Sequence, residues 1–182
     1  MTGKNNDKIR YVVVGGAVAV VLLSVGAGMA FFFRTLVIWW IPAAVAAAIA
    51  VASAPALSAR WGWLTGHGGR LFNFLCHVVI TSSVLYGAIL AANYVFADES
   101  TVHEEIAVVR SKYSKKHTRY RRGARGRQLP AGEYSTWHIL VEFDNGKDKE
   151  ISMPLDKYNK IKVGSRRRFT MAMGLFGMPV IR

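Results

Sequence analysis

YVVVGGAVAVVLLSVGAGMAFFFRTLVIWWIPAAVAAAIAVASAPALSARWGWLTGHGGRLFNFLCHVVITSSVLYGAILAANYVFA, residues 11–97, holds only three formally charged side chains: Arg34, Arg60 and Arg70. They divide the stretch into three apolar runs, about 11–33, 36–59 and 71–97, each long enough for a helix across a hydrocarbon core of about 30 Å. The fold expected from this reading is a three-span membrane domain. The polar residues 1–10 precede it, and a soluble domain, 98–182, follows.

Working outward, Lys4, Lys8 and Arg10 stand just before the first run. That run is longer than the apolar core of a typical signal peptide and leads straight into a second span, so a retained helix is expected. Gly15, Gly16, Gly26 and Gly28 offer a small-residue face of the kind that lets helices approach closely in lipid. Its expected partner is another span or a second copy of the chain. Arg34 and Thr35 form the whole expected turn between spans one and two, flanked by Phe31–Phe33 and by Trp39 and Trp40 as interfacial aromatics. Residues 60–70 (RWGWLTGHGGR) are expected to form the second loop, with His67 solvated in it.

The third run contains Asn73 and His77, four residues apart and hence on one helical face. An ionisable residue inside a span is a functional candidate by default. The competing reading makes both residues interhelical glue. Cys76, alone in the chain, reads as a small buried side chain.

The chain carries a formal net charge of +13. Cations beside span ends govern orientation, and Lys4, Lys8, Arg10, Arg60 and Arg70 on one side oppose Arg34 on the other. The expected arrangement is a bacterial inner-membrane protein with its N-terminus cytoplasmic and residues 98–182 extracytoplasmic.

Residues 98–182 read as β-rich. A strand is expected around 105–113, followed by a cation-dense mobile hairpin loop, 112–127. Its candidate residues for an anionic partner are Lys115, Lys116, Arg119, Arg121, Arg122, Arg125 and Arg127. In 134–143, Trp137, Ile139, Val141 and Phe143 alternate with Thr136, His138, Leu140 and Glu142, the period of a half-buried strand. Asp144-Asn145-Gly146 signals a turn into a strand over 149–153. Residues 155–162 suit a helical turn or irregular crossover, 166–173 alternate again, and a short strand is expected over 178–181. Four or five short strands suggest a small, partly closed barrel.

This layout resembles small bacterial multi-pass membrane proteins with a C-terminal OB-like or SH3-like β-domain, the NfeD-like family among them. The resemblance rests on the strand–DNG–strand–VGS–strand pattern between Trp137 and Met173. It implies helices before a barrel-like tail, and no functional residue is carried over from it.

His103, His117 and His138 lack metal-ligand spacing. Neither a nucleophile elbow nor a phosphate-binding loop is present. The function expected is non-enzymatic, without cofactor or metal: a basic β-domain presented to a protein partner or to an anionic envelope or lipid surface. A juxtamembrane position argues for lipid headgroups over nucleic acid. Two alternatives are a channel or transporter subunit using Asn73 and His77, and a membrane-tethered regulator that binds nucleic acid.

Overall fold

A computed structural model describes residues 2–144 and 146–182, with side chains from Lys8 onward other than Arg125. Asn145 and the side chains of Lys4 and Arg125 therefore lie outside the described residues. The chain divides into two compact units, residues 1–101 with 172–181, and residues 102–171 with Arg182.

The first unit is built on helices α1 (Thr2–Phe32), α2 (Trp40–Leu57), α3 (Trp61–Thr65) and α4 (Arg70–Val95). Three helical stretches, Lys8–Phe32, Trp40–Thr65 and Arg70–Val95, are long and apolar enough to cross a membrane. At 25 or 26 residues each, they measure about 37–39 Å. α4 packs on both α1 and α2. Toward it α2 buries Pro42, Ala46, Ala50 and Ala54, every fourth residue, a ridge of small groups that permits close approach of the two helices.

Of the expected glycine face on α1, Gly28 alone makes such a contact: its Cβ would stand 3.2 Å from the Gly87 Cα on α4. Gly15, Gly16 and Gly26 face open space.

The second long apolar helix begins at Trp40, four residues later than the expected span. Residues 35 and 36 are drawn out of the helix because Thr35 pairs as an isolated β-bridge with Val180. The Leu36 N–H donates to Pro179 O at 2.8 Å. Pro42 then falls in the first helical turn, where a backbone N–H has no intrahelical partner to lose. At the other end the expected loop 60–70 is mostly helical. After Pro55 the helix tightens to a 3₁₀ turn at Ser58–Arg60 and continues as α3. Gly66, at φ 69°, stops it in the left-handed region open to glycine. The loop proper shrinks to residues 66–69.

The sheet consists of β1 (Asp98–Arg122), β2 (Gln128–Phe143), β3 (Asp148–Met153), β4 (Arg166–Met173) and β5 (Pro179–Ile181), with helix α5 (Leu155–Lys160) after β3. It is antiparallel, in the order β3-β2-β1-β4-β5. Because β3 and β5 are opposite edges, the sheet is open, and the expectation of a partly closed barrel is corrected.

The second unit keeps the predicted alternation of β2. Ile139, Val141 and Phe143 are fully or almost fully buried. Across the ladder they face Lys112, Val109 and Ala107 of β1. Phe169 meets Phe143 at 5.6 Å between ring centroids, and Tyr158 of α5 meets Trp137 at 5.1 Å. Two bulges shape the hairpin. An extra residue, Arg110, lies in β1 between the pairs Val109–Val141 and Ser111–Leu140, and two residues of β2, Ala131 and Gly132, stand against the one residue Arg119. Gly132, at φ 116°, takes a conformation that a side chain would strain.

The expected mobile loop 112–127 is the largest correction in this unit. Residues 112–122 continue β1 and pair with β2 as far as Arg122–Gln128. The turn is only residues 123–127, closed by the Gly123 N–H donating to Arg127 O at 2.7 Å.

Candidate functional site: a cationic β-ribbon

β3 accompanies β2 only as far as the Trp137–Met153 pair. On the β1 side, Val109 already bonds Gly164 and Ser165, the residues just before β4. Past Ser114–Trp137 the hairpin is therefore a two-stranded ribbon with both faces open to solvent. Such a ribbon needs no apolar period, which is why its sequence hides the strand.

Successive side chains alternate between the two faces. One face carries Lys116, Thr118, Tyr120 and Arg122, opposite Ser135, Glu133, Pro130 and Gln128. The other carries Lys115, His117, Arg119 and Arg121. The candidate cations Lys115, Lys116, Arg119, Arg121, Arg122 and Arg127 are all exposed, and of these Lys116, Arg121, Arg122 and Arg127 are the ones best placed to meet a partner. Lys115 donates to Glu150 Oε1 at 2.8 Å, and the Arg119 guanidinium lies 5.1 Å from the Tyr134 ring centre. The nearby Lys112 is held inward, donating to Ile161 O at 2.5 Å with its ammonium 4.2 Å from the Tyr158 ring centre.

The second face also bears a cluster that residue spacing did not reveal. Tyr113 stacks on His138, and Tyr134 on His117, at 5.5 and 5.1 Å between ring centroids. Thr136 Oγ1 lies between the two imidazoles, 3.1 Å from His117 Nε2 and 2.7 Å from His138 Nε2. Glu150 Oε1 stands 2.7 Å from His138 Nδ1. The hydrogen bond from Lys115 is the largest of the effects holding the Glu150 carboxyl below its ordinary range, with smaller contributions from Tyr113 and His138. The same bond raises Lys115. One signal in the sequence leads here: the turn after Phe143 sets Leu140 opposite Glu150, which puts the carboxylate one position along from His138.

In the first unit, Asn73 and His77 do share a face of α4, and both are buried. The Trp61 indole N–H donates to His77 Nδ1 at 3.0 Å, and Ser53 Oγ lies 3.0 Å from His77 Nε2. Ser53 also donates to Ala50 O at 3.0 Å, so its oxygen is the acceptor for the imidazole. Asn73 Nδ2 donates to His67 O at 2.8 Å, and its Oδ1 accepts from Thr65 at 2.8 Å. Both residues bind the helical extension and turn of residues 61–69. A cleft of about 350 Å³ elsewhere in this unit is lined by Val25, Met29, Trp39, Ala43, Ser82, Ser83 and Tyr86. Neither Asn73 nor His77 borders it.

Among the described residues, no three His, Cys, Asp or Glu side chains come together as a metal ion would require. The chain matches no family model, no curated protein and no solved structure.

Proposed function

We propose that the chain is a non-enzymatic membrane anchor of three spans that presents a basic β-ribbon to an anionic lipid surface. The observation that carries this reading is the exposure of Lys116, Arg121, Arg122 and Arg127 on a ribbon without a third strand. A two-stranded ribbon has little stability of its own in water, and like charges along it discourage pairing with a second copy. Phosphate-bearing surfaces offset both. Nucleic acid ranks lower because single-strand binding wants rings free to stack on bases. Tyr113 and Tyr134 are already occupied by imidazoles, which leaves Tyr120 as the ribbon's free tyrosine ring. Transport ranks lower still, because the polar atoms of Asn73 and His77 are engaged with α2 and residues 61–67.

For orientation, Arg10 and Gly66 lie together at one end of the helices, and Arg34 and Tyr94 at the other. The excess of cations at the first end supports a cytoplasmic N-terminus.

The test uses the full chain in nanodiscs of phosphatidylcholine, floated with vesicles containing or lacking phosphatidylglycerol. A juxtaposed cation contributes about 1 kcal/mol at an anionic surface. Replacing Lys116, Arg121, Arg122 and Arg127 by Ser should therefore weaken capture by phosphatidylglycerol vesicles more than tenfold, and salt should weaken that of the native chain. Equal capture by both vesicle types would sink the reading.

A further inference from the structure

We propose that the turn between β4 and β5, Gly174-Leu175-Phe176-Gly177-Met178, lies in the lipid interface as a fourth membrane contact of this chain. The proposal rests on the reading of the three long helices as spans.

Leu175 and Phe176 are 55% and 54% exposed. Two large apolar side chains at the tip of a turn are costly in water, where such tips are ordinarily polar. The backbone beneath them is closed off instead of being left for water. Gly174 N–H donates to Met178 O at 3.1 Å, Leu175 N–H to Asn93 O at 3.3 Å, and Gly177 N–H to Gly174 O at 2.9 Å. Phe176 N–H donates to Asn93 Oδ1 at 2.9 Å, and Asn93 Nδ2 donates to Met178 O at 3.0 Å. Four consecutive amide donors are thus satisfied within the protein. Non-helical backbone at membrane depth requires this, because lipid offers no partner for an unpaired N–H.

The position agrees. Asn93 is two residues from the end of α4, and it is completely buried. At that end Phe96 is exposed, as are Phe33 after α1 and Trp39 and Trp40 at the start of α2. Aromatics gather in this way at the level of the headgroups. β5 holds the turn there through Pro179 O and the Thr35–Val180 bridge. Gly174 completes the device, because any Cβ at this position would fall on the Asn93 amide.

The experiment is site-directed spin labelling of the full chain in phosphatidylcholine liposomes, in a Cys76→Ser background. Single labels go at Phe176→Cys, at Val79→Cys on the exposed side of α4, and at Val163→Cys in the second unit. Collision rates are read with oxygen, which concentrates in lipid, and with a water-soluble nickel chelate. The label at 176 should favour oxygen over nickel by at least threefold relative to the label at 163, and adding Gly174→Ala should abolish that preference. A label at 176 as open to nickel as the one at 163 would overturn the proposal. So would low access to both reagents with spin–spin broadening, because a second copy would then cover the turn. If the label at 79 itself reads as aqueous, the spanning helices fail first and the turn with them, a pattern distinct from failure at 176 alone.

Discussion

The indole N–H of Trp61 donates to Nδ1 of His77 at 3.0 Å, across the junction between the helical extension of α2 and the face of α4. An indole nitrogen only donates, so Nδ1 must be unprotonated and the proton sits on Nε2, facing Ser53 Oγ. The bond selects one neutral tautomer and leaves neither nitrogen free for a proton path. Two partners that are distant in sequence thus hold this histidine in place.

Replacing His77 by Ala strands the Trp61 N–H and leaves a void beside Ser53. Loss of one partner of a buried pair costs about 1–3 kcal/mol. The variant in detergent should melt measurably lower, while ion flux into proteoliposomes stays at the level of the native chain. A changed flux with unchanged melting would reverse the assignment.

Gly87 of α4 sits against the backbone of Ser24 on α1, with no space for a methyl group. Gly87→Ala should force α1 and α4 apart, at an overpacking cost of about 1–3 kcal/mol. Gly15→Ala meets nothing within 4 Å and replaces a poor helix former, so it should be neutral or stabilising by up to about 1 kcal/mol. Thermal melting of the two variants in the same detergent separates a packing glycine from a merely tolerated one.

The three long helices were legible because each run satisfies a length and an apolarity requirement locally. Their ends were not. Residues 35 and 36 leave the helix through bonds to Pro179 and Val180, more than a hundred positions away, and no window around Arg34 contains that information. The strand over 134–143 was legible because one face is buried and imposes period two. The equally regular residues 115–122 were not, because neither face of the two-stranded ribbon packs against a core there and charge took the place of pattern. The His117–Thr136–His138 cluster depends on cross-strand register, which residue spacing alone does not carry.

Glu150 joins that cluster as the acceptor of the Lys115 ammonium. Its carboxyl is depressed in the folded state, so its contribution is present above its unfolded value and lost as the pH falls through the folded one. The pair is well exposed, and solvent screening leaves such a pair little weight in stability. Glu150→Gln should therefore change stability little. It should bring the Lys115 ammonium back toward its ordinary range, measured by NMR of the ¹⁵N-labelled side chain. Persistence of the elevated Lys115 value would place its cause elsewhere.

Lys149 gives the second unit a pH dependence of the same sign in a more alkaline window. It lies on the inner face of β3, opposite the buried Val141, and burial lowers its ammonium to about 8 from an ordinary 10.5. Below pH 8 both folded and unfolded chains carry the proton, and the fold bears the cost of burying a charge. Between about 8 and 10.5 the unfolded chain binds more proton than the folded one, so stability rises with pH across that window. The shift corresponds to a gain of about 3 kcal/mol. Lysines and tyrosines elsewhere also titrate there, so the informative quantity is the difference from Lys149→Met, which keeps the apolar stem and removes the charge. The urea midpoint of the β-sheet circular-dichroism signal should rise more steeply between pH 8 and 10.5 for the native chain than for the variant. At pH 7 the variant should be the more stable of the two. Parallel curves would mean that the ammonium at Lys149 stays solvated.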